Sequence, residues 1–115
     1  MYKKILFPLM DNKGLDSNVA EHFGHSDFLG LYDFKNKKLE IKENRLDHSN
    51  AFSSPIDQVK EIFNPDAVYA FALGKRAIML FKEKGIIIIT GKFSKVKDII
   101  LDINNCVELD RDCGH

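Results

Sequence analysis

The chain changes its hydrophobic spacing midway. "KKILFPL" at residues 3 to 9 is an unbroken apolar run, the pattern of a strand buried on both faces, with Pro8 near its end where a missing N–H is tolerated. "DNKGLDSN" (11 to 18) then gathers Asp, Asn, Gly and Ser, which close turns through their side chains or through positive φ, so a loop follows. From 28 to 34, "FLGLYDF" sets Phe28, Gly30, Tyr32 and Phe34 on one face. "LEIKENR" (39 to 45) sets Leu39 and Ile41 against Glu40 and Lys42, and the two half-buried strands joined by "KNKK" predict a hairpin.

After the polar stretch "LDHSNAFSS" (46 to 54) the period becomes helical. Ser54 and Pro55 read as an N-cap and a first helical residue, with Asp57 as a partial capping box, and Ile56, Val59 and Phe63 form one apolar stripe that stops before Pro65. "AVYAFAL" (67 to 73) is a second doubly covered strand. "GKRAIMLFKEKG" (74 to 85) places Ala77, Leu80 and Phe81 on one face and ends at Gly85. "IIIIT" (86 to 90) is a further buried strand, and Ser94 is placed to cap a last helix with Val96, Ile99, Ile100 and Ile103 inward.

Strand, strand, strand, helix, strand, helix, strand, helix predicts a five-stranded mixed sheet in a three-layer α/β sandwich, because right-handed crossovers between parallel strands place helices on both faces. Residues 1–105 read as one domain, and 106–115 as a C-terminal tail holding Cys and His. The 44% apolar and 30% charged content is that of a globular chain. No tract reaches the ~20 apolar residues of a membrane span. Pro8 and Asp11 cut the N-terminal run short of the ~7 to 15 residues of a signal-peptide core.

Seventeen basic and seventeen acidic side chains cancel. There is no overall positive field to gather nucleic acid or anionic lipid, so an anionic ligand has to be held locally. Two cysteines, Cys106 and Cys113, make no disulfide framework, and a reduced, cytoplasmic protein is expected.

Candidate chemistry falls in a few places. In "AEHFGHSDF" (20 to 28), His22 and His25 flank Phe23 and Gly24; the glycine lets the backbone turn sharply, so both imidazoles can converge on one ion. Exposed loop histidines without a ligand are the plainer reading. The closing "CGH" adds Cys113 and His115, a thiolate and an imidazole suited to zinc, copper or an iron-sulfur species, at the end of the chain where an inert tail is otherwise expected. Gly74, Lys75 and Arg76 open a helix directly after a buried strand, where free N–H groups, the helix dipole and two cations form a local anion site. That turn also lies at the carboxyl end of its strand, the favoured ligand position of open α/β sheets. Cys106 reads as a small buried hydrophobe, and His48 as a solvated loop residue. No nucleophile elbow appears, and Asp11, Asp16, Asp33 and Asp47 lack the spacing of a two-metal site, which argues against an enzyme.

The stretch "GLDSNVAEHFGHSDFLGLYD", with "HFG" at 22 to 24 before an aromatic-led strand, resembles the opening signature of the dinitrogenase iron-molybdenum cofactor biosynthesis family, the small domain of NifX and of the tail of NifB. "GKRAIMLFKEKGI" resembles the family's Gly-x-Arg-Ala helix, and "CGH" the tails of some members. The glycine-rich lead-in to that helix is here "AFAL", and the His- or Gly-rich loop after the third strand is "DHSNAFSSP".

The resemblance implies a ribonuclease-H-like fold without nuclease chemistry. It further implies a non-catalytic binding or carrier protein for an iron-sulfur or iron-molybdenum-type cluster or its precursor, with His22 as a ligand and Gly74 to Ala77 as the cradle. On this reading His25 supplies a second nitrogen or a hydrogen bond, Cys113 and His115 close over the site, and Lys75 and Arg76 compensate charge. The expected partners are donor or acceptor proteins of metal clusters, with no nucleic acid and no membrane, and the chain acts as a monomer or weak homodimer. Two alternatives stand beside it: a metal-free regulatory or scaffold domain that docks a protein, and a thiol redox protein using Cys106 and Cys113.

Overall fold

A computed structural model describes residues 2–23, 26–46 and 55–109. At its centre is β1 (Lys4–Leu9), buried from Ile5 to Leu9 because it has a neighbour on each side. It pairs antiparallel with β2 (Phe28–Asp33) and parallel with β4 (Ala67–Tyr69). β3 (Lys38–Glu43) continues the sheet beyond β2 as the predicted hairpin, and β5 (Ile87–Thr90) continues it beyond β4.

Side chains alternate across a strand, so the continuous apolar runs feed two cores. Leu6, Leu29, Val68 and Ile88 face α1 (Pro55–Ile62) and α2 (Lys75–Glu83), where Val59 and Phe81 are fully buried. Ile5, Phe7, Leu9, Tyr69 and Ile89 face α3 (Val96–Leu101), where Val96 and Ile99 are fully buried. The expected three layers follow.

The strand count does not. The sheet has six strands in the order β3-β2-β1-β4-β5-β6, and the sixth, β6 (Val107–Glu108), comes from the stretch read as a tail. It pairs antiparallel with β5 through Ile89↔Glu108 and Thr90↔Val107. Two residues carry no periodicity; their strand exists because β5 offers an open edge.

Local stops behave as their chemistry dictates. α2 ends in a Schellman motif: Gly85 has φ +72°, its N–H donates to the Lys82 carbonyl (3.0 Å), and the Ile86 N–H donates to the Phe81 carbonyl (2.9 Å). α1 ends with Asn64 in the left-handed region, φ +46°. Ser54, the proposed cap of α1, lies outside the described residues, whereas Asp57 forms an ion pair with Lys84 at the far end of α2.

The α3 cap differs from expectation. Lys95, not Ser94, occupies the N-cap position and makes no side-chain cap bond. The Ser94 carbonyl accepts the Val19 N–H (2.7 Å) and Lys95 bridges Asn18, so both are held extended and the helix begins one residue later. Ile103 falls beyond α3 in a separate 3-10 turn, Ile103–Asn105. The run 67 to 73 is a strand only over Ala67–Tyr69, because Ala70 makes one last bond to Ile89 (3.0 Å) before the chain turns towards α2.

Two outcomes test this account. Gly85→Ala places a Cβ on a left-handed residue and lowers stability by roughly 1–2 kcal/mol, read as a lower denaturant midpoint at unchanged slope. Asp16, in the 3-10 turn Gly14–Asp16, lies 2.7 Å from Lys97 of α3, whose hydrogen bond and charge hold its carboxyl below the usual 3.8. A depressed carboxyl stabilises above its unfolded value and loses that contribution as pH falls through the folded one. The stability difference between the parent and Asp16→Asn is therefore present at neutral pH and vanishes below that window, by a small amount because both side chains are solvent-exposed.

Candidate functional site

β1 and β4 pair only through Ile5↔Ala67 and Leu6↔Val68 and then part. The fork is where chain connectivity reverses: β2 lies on one side of it, and β4 and β5 lie on the other. The segment from Ser17 to His22 enters it. The Ala20 N–H donates to the Pro8 carbonyl (2.7 Å) and the Met10 N–H to the Asn18 carbonyl (2.8 Å). On the other side the Val19 N–H reaches the Ser94 carbonyl, the Val96 N–H reaches the Ser17 carbonyl (3.1 Å), and His22 bridges Ala72 in parallel.

Side chains in the preceding loop set this segment in place. The Asp11 carboxylate accepts the Asn18 N–H (2.9 Å), and the buried Ser17 hydroxyl accepts the Lys13 N–H (2.8 Å). The turn-forming residues of "DNKGLDSN" thus act as their chemistry predicts and hold the segment in place.

His22 is exposed, and Phe23 beside it is buried edge-on against Phe81 of α2, with ring centroids 5.6 Å apart and planes at 79°. The Ser26 hydroxyl donates to the Phe23 carbonyl (3.0 Å), and the Asn44 side chain donates to the Ser26 carbonyl (2.9 Å). The loop is therefore clamped on both sides of Gly24 and His25, which lie outside the described residues together with His48, Cys113 and His115.

Ala72, the bridge partner of His22, stands two residues before Gly74, the N-cap of α2. That is at most roughly 7 Å of chain. Gly74 contributes no side-chain cap, no acid occupies the first turn, and Lys75 and Arg76 are exposed. The positive end of α2 is thus uncompensated and faces the same carboxyl end of the sheet as His22.

The structure thus sets His22 beside Ala72, in the connection that leads to Gly74, Lys75 and Arg76. It does not bring a full metal-ligand set together: among the described residues no group of three His, Cys, Asp or Glu side chains could hold an ion. A groove of about 220 Å³ beside His22 is lined by Met10, Ala20, Glu21, Ser26 and Asp27. Its carboxylates make it a poor seat for an anion, so the cationic side of the site is the α2 entrance. Sequence reading missed the clamp of Phe23, Ser26 and Asn44. Phe23 was signalled by its place between the histidines, whereas Asn44 lies eighteen residues from Ser26 with no local signal.

Cys106 belongs to the opposite core. Its half-buried sulfur lies 3.2 Å from where a Cβ on Gly91 would sit, next to Tyr69, whose hydroxyl donates to the Phe93 carbonyl (2.9 Å). Burial, then the nearby Asp102, pushes its thiol up. In a Cys113→Ser background, Cys106 therefore reacts with a maleimide at neutral pH more slowly than a free cysteine peptide, because less of it is thiolate. An equal or faster rate contradicts the packed, protonated thiol.

The described residues thus form a mixed α/β sandwich with a hydrogen-bonded loop and a basic helix entrance at the connection switch, the place where ligands are favoured in open α/β sheets. The chain belongs to the dinitrogenase iron-molybdenum cofactor family, whose sequence model matches residues 3–105. No curated protein matches it. Among solved structures it is similar to PH0822, at 26% identity with a TM-score of 0.71, covering 89% of this chain and 90% of that one. It is also similar to a NifB-like protein from Thermotoga, at 18% identity and TM-score 0.77 over 96% of each chain. The apo form of the orange protein from Desulfovibrio gigas aligns at 13% identity and TM-score 0.78 over 97% of each. The last two likenesses are of fold.

Proposed function

We propose that the protein binds and carries an anionic metal-sulfur cluster of iron-sulfur or iron-molybdenum type, or its precursor, without catalysing a reaction. The observation that carries this reading is the bridge between His22 and Ala72, which sets the histidine beside the connection leading into the uncapped, basic start of α2. Membership of a family described by the iron-molybdenum cofactor supports it, as does a structural neighbour captured in an apo form.

A sulfide-rich anion needs N–H donors, positive charge and a nitrogen or sulfur ligand. The first-turn amides of α2 supply the donors, Lys75 and Arg76 the charge, and His22 an exposed imidazole. Gly24 and His25 would complete the loop side, and Cys113 and His115 would close over the cargo from the tail. The order β3-β2-β1-β4-β5, in which β2 alone runs against the others, supports a ribonuclease-H-like motif. The raised thiol of Cys106 counts against a redox role. The partners are donor and acceptor proteins for the cluster. A cytoplasmic setting fits this cargo, and no helix among the described residues is long and apolar enough to cross a membrane.

Anaerobic reconstitution with iron and sulfide, or with thiomolybdate, tests the proposal through absorption and metal analysis. The parent binds stoichiometrically. His22→Ala in a chain ending at Asp112 loses most of the bound metal, and Lys75→Ala with Arg76→Ala weakens binding about tenfold. If the truncated His22→Ala chain binds as much as the parent, the site is misplaced; if the untagged parent binds no stoichiometric metal, the metal-free docking alternative takes its place.

A further inference from the structure

β3 (Lys38–Glu43) is the long open edge of the sheet, since the strand order gives it a neighbour on one side only. Hydrogen-bond parity decides which of its backbone groups are spare. In an antiparallel pair, residues bonded to the neighbour alternate with residues whose N–H and C=O point away. The Phe34 N–H donates to the Lys3 carbonyl across β1 and β2, and the Asn44 N–H donates to the Asp27 carbonyl across β2 and β3. With the register Leu29↔Lys42, Leu31↔Glu40 and Asp33↔Lys38, both bonds give the same answer. Lys38, Glu40 and Lys42 turn their backbone groups to β2, and Leu39, Ile41 and Glu43 turn theirs outward. Among the described residues no other segment bonds those outward groups.

An antiparallel copy of β3 matches this parity only when outward residues face outward residues. Setting Leu39 opposite Ile41 puts Glu40 against Glu40 and Lys38 against Lys42. Setting Ile41 opposite Glu43 puts Lys42 against Lys42. Setting Ile41 opposite itself puts Glu40 against Lys42 twice, at the closely spaced positions where cross-strand charges count most. Glu40 and Lys42 already lie 3.5 Å apart within one chain, so the copies would form a ring of charges alternating in sign.

We infer that a second copy of this chain adds to β3 in antiparallel register about Ile41, forming a twofold dimer with one continuous sheet. The contact is isologous and closes on itself. The opposite edge, β6, has two residues and offers little to extend the sheet further. Charged residues on an edge repel a strand of the wrong pattern while admitting this one. Pairing of strands this short buries little surface, so the dimer forms at high concentration.

Sedimentation equilibrium at low salt, over a concentration series reaching the millimolar range, tests it. The parent shows a reversible monomer–dimer equilibrium. Glu40→Lys and Lys42→Glu each weaken dimerisation about tenfold or more, because each sets like charges opposite one another. An equimolar mixture of the two variants regains the dimer, since one then carries only lysines and the other only glutamates at these positions. Ile41→Pro removes an outward N–H and no bond to β2, so it stays folded by circular dichroism and does not dimerise. A parent that is monomeric throughout, single reversals that dimerise like the parent, or a mixture no more dimeric than its components each overturn the inference.

Discussion

Beyond Ile5↔Ala67 and Leu6↔Val68, the central strands β1 and β4 make no further registered pair, and the carbonyl of buried Pro8 would be left without a partner. An unpaired buried backbone group costs about as much as a lost hydrogen bond, so something has to fill the fork. The segment from Ser17 to Ala20 does so, bonding β1 on one side and the approach to α3 on the other. Val19 and Ala20 are buried in consequence. The start of α3, the shortened β4 and the position of His22 all follow from that insertion.

The same constraint fixes the backbone on which the candidate site is built. His22 is fixed through its backbone to Ala72, while Phe23 is fixed through its ring to Phe81. Both anchors lead towards α2: one ties the His22 backbone to the connection before the helix, the other ties the Phe23 ring to the helix itself. The exposed side chains add function to a framework whose geometry is already complete. Sheet edges are managed in a similar way: the short β6 closes one side, and the other is marked by alternating charge on Lys38, Glu40 and Lys42.

Much of the fold was legible because its signals are local. The runs at 3 to 9 and 86 to 90, the alternation at 28 to 34 and 39 to 41, and the stops at Gly85 and Asn64–Pro65 depend on residues within a few positions of one another. β6 was not legible, because two residues become a strand only beside the open edge of β5. The Ser94 cap failed for a related reason. Its side chain has the right chemistry, but its carbonyl is claimed by Val19, seventy-five residues earlier in the chain. In the candidate site, His22 and the entrance at Gly74, Lys75 and Arg76 could each be picked out from spacing and residue type. Their proximity could not, because it rests on the bridge to Ala72.

By itself the sequence determined where most strands and helices form and where two of the helices stop. Those properties arise from side-chain volume, branching and hydrogen-bonding capacity, which each residue carries wherever it goes. It did not determine that β2, which reads as half-buried, is covered on both faces, at Leu29 and at Tyr32, or that Ile87 is exposed. Only the tertiary structure decided that β1 and β4 fork, that the loop before β2 fills the gap, and that His22 therefore lies beside Ala72 on the approach to α2. Those outcomes depend on satisfying backbone groups far apart in the chain, and no residue announces its long-range partner in its own identity.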